Sequence, residues 1–322
     1  MNPGEMRGVY GIGAALIDYT FLVPDSLLDQ LGLKRGTMEL VSSSVRAELF
    51  DRLQSHGFSV KPAGSTSAAL QVVAALGGQA TLHCVVGNDE MADLYCSKMA
   101  ERRVELDVTR SHGVTGACVI LVTPDGERTM RTDPGVANQY TSQLPSLSQF
   151  EWVCMSAHLL LGGCFGSSVI MQAISAARSS GTNVAFSLGS SSAMKKYPGE
   201  ALEIIAQSDL VVGNMLEWSS LLEIQGKAGT ISELRALCPT MIATMGGAGV
   251  EIFHEGELTT IPPVPCTPKN ATGAGDVFLG SILYSLVHSR NVLDAAYEAT
   301  SLASRSVAEG FEQLLLSLRE SR

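Results

Sequence analysis

The chain has 322 residues, 45% hydrophobic and 17% charged, with 22 Lys plus Arg against 32 Asp plus Glu. Its formal charge of −10 disfavours nonspecific binding to nucleic acid or to an anionic membrane surface. No window approaches the roughly 18–20 apolar residues of a membrane span, and Asp18 interrupts the only N-terminal candidate for a leader, so the expectation is a soluble, cytoplasmic protein.

Residues 8–16, GVYGIGAAL, read as a first strand, and 36–42, GTMELVS, as an extended piece. A helix is predicted near 65–76, a strand over 80–86 and a helix near 90–102. Residues 117–132 read as extended, with a hairpin cue at Pro124-Asp125-Gly126. Strands at 152–157, 183–188, 210–213 and 240–245 then alternate with helices near 167–180, 198–207, 214–224 and 230–237. A second hairpin is expected over 250–260, turning at His254-Glu255-Gly256. This alternation argues for βαβ units and a mostly parallel central sheet with helices on both faces. The pieces at 36–42 and 117–132 fall outside the pattern and are expected to form a small β-flap. With no repeats or long linkers, one domain over 1–322 is the simplest partition.

Seven cysteines, at 84, 96, 118, 154, 164, 238 and 266, contain no CxxC and read as reduced thiols rather than a disulfide framework. The six histidines are isolated, without HExxH or a Cys/His cluster, which argues against zinc.

The densest chemistry lies in NATGAGDVF, 270–278. Val277, Phe278, Leu279, Ile282, Leu283 and Leu286 give the segment after it an apolar helical stripe. The glycines therefore sit at a helix N-terminus, where free N–H groups hold an anion and small residues let a phosphate approach. Asp276 would repel a static phosphate. It makes sense if it accepts the proton of an incoming hydroxyl while the N–H groups stabilise a transferring phosphoryl group. Read alone, the heptapeptide also fits a close-packed turn whose aspartate complements the helix dipole.

NATGAGD resembles the DTxGAGD-like signature of the PfkB/ribokinase family of carbohydrate and nucleoside kinases, and other segments resemble the family in order over nearly the full length. These are GIGAALID (11–18), AGSTSAALQVVAALGG (63–78), VVGND (85–89), VTPDGERTM (122–130), GNMLE (213–217) and ATMGGAG (243–249). RGTMEL and DGERTM look most like adenosine-kinase-type members. The resemblance implies a ribokinase-like fold with β-lid segments near 14–22, 36–42 and 114–133. It implies ATP and Mg²⁺ as co-substrate and cofactor, and a small nucleoside or sugar as acceptor.

It further implies Asp276 as catalytic base and an anion hole from the N–H groups of Gly273, Ala274 and Gly275. Asp18, Gly64 and Ser65 fall on the substrate side. Asn214, Thr244, Gly246 and Gly249 fall on the nucleotide side. Asn214 and Glu217 would organise Mg²⁺ through water, although NxxE is also an ordinary helix start. Asp18 could accept two bonds from vicinal hydroxyls or be an edge aspartate in a salt bridge. Arg128 reads as a solvated hairpin residue that could reach phosphate.

The departures cluster at the substrate side. Ala63-Gly64 stands in place of Gly-Gly and is followed by Ala68 where members carry Asn, and Ala14, two residues before Leu16 in the first strand, replaces another Asn. Asn270 replaces the first aspartate of the signature, so potassium activation is not expected. The expected activity is ATP-dependent phosphorylation of a hydroxymethyl group on an adenosine-like nucleoside or a sugar. A hexose or keto-sugar kinase, and a binding protein on the kinase scaffold with weak turnover, are the alternatives. Because the flap's extended segments cannot bury both faces alone, a homodimer through the lid is expected.

Overall fold

The first predicted strand is two strands in different sheets. In the computed structural model, which describes residues 8–140, 143–224, 226, 231–234, 236–288 and 290–321, β1 (Gly8–Ile12) ends at a bend and β2 (Leu16–Leu22) leaves for a second sheet. Glycine is needed at that bend, because a Cβ on Gly13 would fall 2.7 Å from Cβ of Thr66.

The chain continues through α1 (Asp25–Gln30), β3 (Met38–Leu40), α2 (Ser43–Leu53), β4 (Ser59–Ala63), α3 (Ser65–Ala75), β5 (Ala80–Val86) and α4 (Glu90–Glu101). It then forms β6 (Glu105–Arg110), β7 (Gly116–Val122), β8 (Arg128–Asp133), β9 (Phe150–Ser156), a 3-10 helix (Ala157–Gly162), α5 (Cys164–Ser180) and β10 (Asn183–Ser187). Next come α6 (Ser191–Lys196), α7 (Pro198–Ala206), β11 (Leu210–Asn214), α8 (Met215–Ile224) and β12 (Thr240–Thr244). The remainder is β13 (Val250–His254), β14 (Glu257–Ile261), α9 (Ala274–Val287), α10 (Val292–Glu309) and α11 (Phe311–Glu320). Of the helix predicted near 230–237, Ile231–Leu234 is a 3-10 turn, and residues 230 and 235 lie outside the described residues.

The central sheet runs β14-β13-β12-β11-β10-β9-β1-β5-β6, parallel from β12 to β6 and antiparallel through the β13–β14 hairpin. That hairpin turns where expected, and Glu255 and Gly256 both have positive φ, 51° and 87°, as a tight turn of this hand requires. Parallel strands bury both faces. Trp152, Cys154, Leu82 and Ile242 join one core with α3, α4, α9 and α10, while Val153, Met155, Phe186 and Met241 join another with α5 to α8. This is the expected α/β architecture with helices on both sides. No described helix is long and apolar enough to cross a membrane.

The second sheet runs β3-β8-β7-β2-β4. Its β2 alternates strictly, so Leu16, Asp18 and Thr20 face one way while Ile17, Tyr19 and Phe21 are buried on the other. The buried side packs on α2 through Leu49, Phe50 and Leu53, with Phe58 completing an aromatic cluster around Tyr19 and Phe21. The side of Asp18 faces the central sheet.

Candidate active site

The lid and the C-terminal ends of β1, β9, β10, β11 and β12 enclose a cleft of about 980 Å³. Ligands of parallel α/β sheets bind at this end of the strands. The N-termini of α3 and α9 reach the same cleft, one through Ser65 and the other through Gly273, Gly275 and Asp276.

Gly273 caps α9 in the left-handed conformation, φ 82°. Gly275 needs glycine for neither reason usual in a fold. Its φ is not positive, and a Cβ there would meet nothing within 4 Å. The space is open cleft, as a phosphate approaching the backbone would require. Among the described residues, no acceptor meets the N–H of Gly273, Gly275 or Asp276. Ala274 departs from expectation: its N–H donates to the Ala271 carbonyl at 3.2 Å, and the residue does not line the cleft. The turn closes on itself there, so the amide of Asp276 stands in the place expected of Ala274.

The Ser65 hydroxyl donates to Oδ1 of Asp276. Burial pushes the Asp276 carboxyl up to about 7, the Ser65 bond opposes this, and the charge of Glu217 adds to it. A general base is most effective with a value near the working pH. Asp18 lies in the lid, and no protein donor meets its carboxylate among the described residues. Burial raises it to about 6 against the pull of Arg128 and Lys61.

These two shifts set a stability trend. Both folded values lie above the ordinary 3.8, so between pH 4 and 7 the folded chain keeps protons that the unfolded chain has released. The contribution is fully present below about pH 4 and is lost as pH rises through about 7. Asp276→Asn should therefore melt higher than wild type near pH 8, by on the order of 1 kcal/mol after allowing for solvent in the cleft, and the gain should vanish near pH 4. Thermal melting of both proteins across that range checks it, and an equal difference at both ends would contradict it.

Asn214 and Glu217 form a reciprocal helix cap. Asn214 Oδ1 accepts from the Glu217 N–H at 3.0 Å, and the Glu217 carboxylate accepts from the backbone N–H and Nδ2 of Asn214 at 2.9 and 2.8 Å. The ordinary helix-start reading of NxxE is thus correct as far as it goes. The Gly189 backbone N–H also bonds that carboxylate, and burial raises the Glu217 carboxyl, so a cation reached through water fits this pair better than direct ligation.

Thr244 lines the cleft, but Gly246 and Gly249 do not. Gly249 serves the turn into β13: its φ is 95°, and a Cβ would fall 2.2 Å from the Ile261 carbonyl oxygen. Gly64, with φ 114°, similarly allows the Ala14 carbonyl to approach, since a Cβ would lie 2.3 Å from its oxygen. Arg128 is not a solvated hairpin residue. Its Nη1 donates to Thr272 Oγ1 at 2.6 Å, tying the lid to the glycine turn.

Strand register orders the lid's inner face. One row runs Leu40, Thr132, Cys118, Asp18, Lys61, with neighbours about 4.8 Å apart, and the next runs Met38, Met130, Ile120, Thr20. The roof is charged over β2 and β4 and apolar over β3 and β7, while β8 presents Met130 between Arg128 and Thr132. On the floor, His158 and Asn138 line the cleft, and sequence reading singled out neither. His158 follows the strand predicted over 152–157, in the 3-10 helix, and no local pattern marks its access to the cleft.

Comparison with known proteins gives the family and the fold. Residues 38–313 match the family described as pfkB family carbohydrate kinase. The chain is 36% identical to inositol 3-kinase of Arabidopsis thaliana over 66 residues, which is 20% of this chain and 18% of that protein. It is 28% identical over 255 residues to aminoimidazole riboside kinase of Salmonella typhimurium, covering 76% of this chain and 79% of that protein. The structure of adenosine kinase from Sinorhizobium meliloti superposes with a TM-score of 0.84 at 21% identity, over 99% of this chain and 100% of that one, a likeness of fold.

Proposed function

The chain belongs to the pfkB family of carbohydrate kinases, and we propose that it transfers the γ-phosphoryl group of ATP to the hydroxymethyl group of a nucleoside. The observation that carries this reading is Asp276 at the N-terminus of α9, held by Ser65 in a cleft it shares with Asp18. Asp18 faces the cleft with its acceptor capacity unused, as recognition of vicinal hydroxyls requires. The acceptor's O–H bond breaks to Asp276 as its oxygen bonds the γ-phosphorus. The bond to the β-phosphate oxygen breaks, ADP leaves, and the proton passes later to solvent. The free N–H groups of α9 and the Arg128 guanidinium supply donors where negative charge develops. Magnesium, held through water by Asn214 and Glu217, would neutralise phosphate charge.

The apolar half of the lid favours a nucleoside over a simple sugar. Leu40, Met38, Met130 and Ile120 offer a polyol nothing but suit a flat ring. The similarity to a kinase that acts on an aminoimidazole riboside points the same way. Against this, Ala14, Ala63 and Ala68 leave the sugar end short of amide donors, and a hexose or keto-sugar kinase, or a scaffold with weak turnover, remains the rival. ATP consumption across a panel of nucleosides and sugars separates them. Turnover confined to sugars would overturn the acceptor class, and none at all would favour the binding protein.

Two further readings belong here. In the turn, Asn270 Oδ1 already accepts from the Thr272 N–H at 2.9 Å and carries no charge to hold a cation. Replacing sodium by potassium should leave the rate within about twofold, and Asn270→Asp should increase the dependence. A severalfold rise in wild type would contradict this. The helix α2 packs on one face of the lid, but β3 at its edge is exposed along Met38–Leu40, and this edge supports a homodimer through the lid. We read the chain as a cytoplasmic kinase, one domain over 1–322 with the lid as its appendage. Light scattering at micromolar concentration should give about twice 34 kDa, the mass of one chain, and a species of that single mass would contradict the dimer.

A further inference from the structure

His158 and Asn138 take no part in the phosphoryl transfer described above. The His158 ring is fixed on two sides. Its Nδ1 lies 2.8 Å from Ser156 Oγ, and it packs against Gly189, where a Cβ would lie 3.0 Å from Nδ1 and Cε1. No protein group among the described residues meets Nε2. The ring is open to the cleft on one side, which admits a ligand. Protein packs on its other sides, and desolvation there lowers its value, which favours the neutral imidazole.

Asn138 follows β8 and packs on Gly162, where a Cβ would fall 2.6 Å from its Cγ. Gly162 ends the 3-10 helix that carries His158. No protein hydrogen bond holds the Asn138 carboxamide among the described residues. Pro134, Thr132 and Leu161, their chain neighbours, line the cleft as well. Two backed groups with unused donors and acceptors therefore lie on the side of the cleft reached by β8, where Met130 joins Met38, Leu40 and Ile120 in the apolar part of the lid.

We propose that His158 and Asn138 read the polar edge of a heterocyclic base on the acceptor, and that the base presents an amino group beside a ring nitrogen, as adenosine does. The inference rests on the nucleoside reading. An apolar roof with a few placed polar groups is how a flat ring is oriented as well as buried. Neutral groups suit a neutral ring: a charged substituent would find no countercharge in an imidazole and an amide. A carboxamide can donate to the ring nitrogen while accepting from the amino group, a two-point match that a sugar hydroxyl does not offer. Asp18 lies two strands, about 10 Å, from Thr132 along the roof, so hydroxyls and base would be read at separate places.

The test compares adenosine, purine riboside, which lacks the amino group, and ribose as acceptors for wild type, His158→Phe, Asn138→Leu and His158→Gln. Wild type should prefer adenosine to purine riboside in kcat/KM. The preference should fall about three- to tenfold in the Phe and Leu variants, through the acceptor KM, and largely return in His158→Gln. The KM for ATP should not move. Calorimetry on wild type gives a reading independent of the variants, with adenosine binding more tightly than purine riboside. Equal affinities, or variants that keep the wild-type preference, overturn the inference and leave the nucleoside reading standing. A wild type that phosphorylates ribose and neither nucleoside overturns both.

Discussion

Asp276→Asn is expected to lower turnover by about 10²–10⁴-fold, the usual contribution of a positioned general base. The amide keeps an oxygen for the Ser65 hydroxyl, and the backbone N–H groups of α9 do not depend on the side chain. ATP affinity should therefore change little. The variant should also be more stable than wild type near neutral pH, because a carboxylate that burial raises to about 7 no longer has to ionise in the cleft. The rival account, in which Asp276 only complements the helix dipole, makes the opposite pair of predictions. It expects a loss of roughly 0.3–1 kcal/mol in stability and a near-normal rate. Turnover, ATP affinity by calorimetry and thermal melting, measured together, distinguish the two. A variant with near wild-type turnover would remove Asp276 from the mechanism.

Gly275→Ala should be nearly as damaging to the rate, for a different reason. A methyl group at 275 meets no protein atom within 4 Å, and the backbone conformation accepts alanine. Folding should be unimpaired or improved by up to about 1 kcal/mol, since alanine is the better helix residue. The methyl occupies the space through which a phosphoryl oxygen would reach the α9 N–H groups. Misplacing one such donor contact costs about 10²–10³ in kcat. Loss of rate with undiminished thermal stability would show that the glycine serves a ligand. Full activity would show that no phosphate comes so close.

What could be read in the sequence was what a local pattern encodes. Parallel strands buried on both faces are continuous apolar runs, so 80–86, 152–157, 183–188 and 210–213 were legible. The edge strands β4 and β6 were not, because β4 holds Pro62 and β6 alternates charged residues along a sheet margin. The bend at Gly13 was hidden for a related reason: 8–16 reads as one run of apolar and small residues, and what splits it is the approach of Thr66 from α3, a contact across more than fifty residues. The glycine turn before α9 was legible down to Asp276. The Ala271 carbonyl, which withdraws the Ala274 N–H, was not, because a hydrogen bond inside a turn depends on its closed geometry. Arg128 was misjudged because a hairpin arginine looks solvated until the lid is folded over Thr272. His158 and Asn138 escaped notice because a lone polar residue after a strand has no period or spacing to mark it.

The central claim, phosphoryl transfer from ATP to a nucleoside hydroxymethyl group with Asp276 as base, is tested most directly by following labelled γ-phosphate. The chain would be incubated with labelled ATP, magnesium and, separately, adenosine, ribose, fructose and inositol, with Asp276→Asn run alongside. The account predicts label in a nucleoside 5′-monophosphate, formed by wild type and at least about a hundredfold more slowly by the variant. Label appearing only in a sugar or inositol phosphate, or in the nucleoside product at equal rates from both proteins, would contradict it.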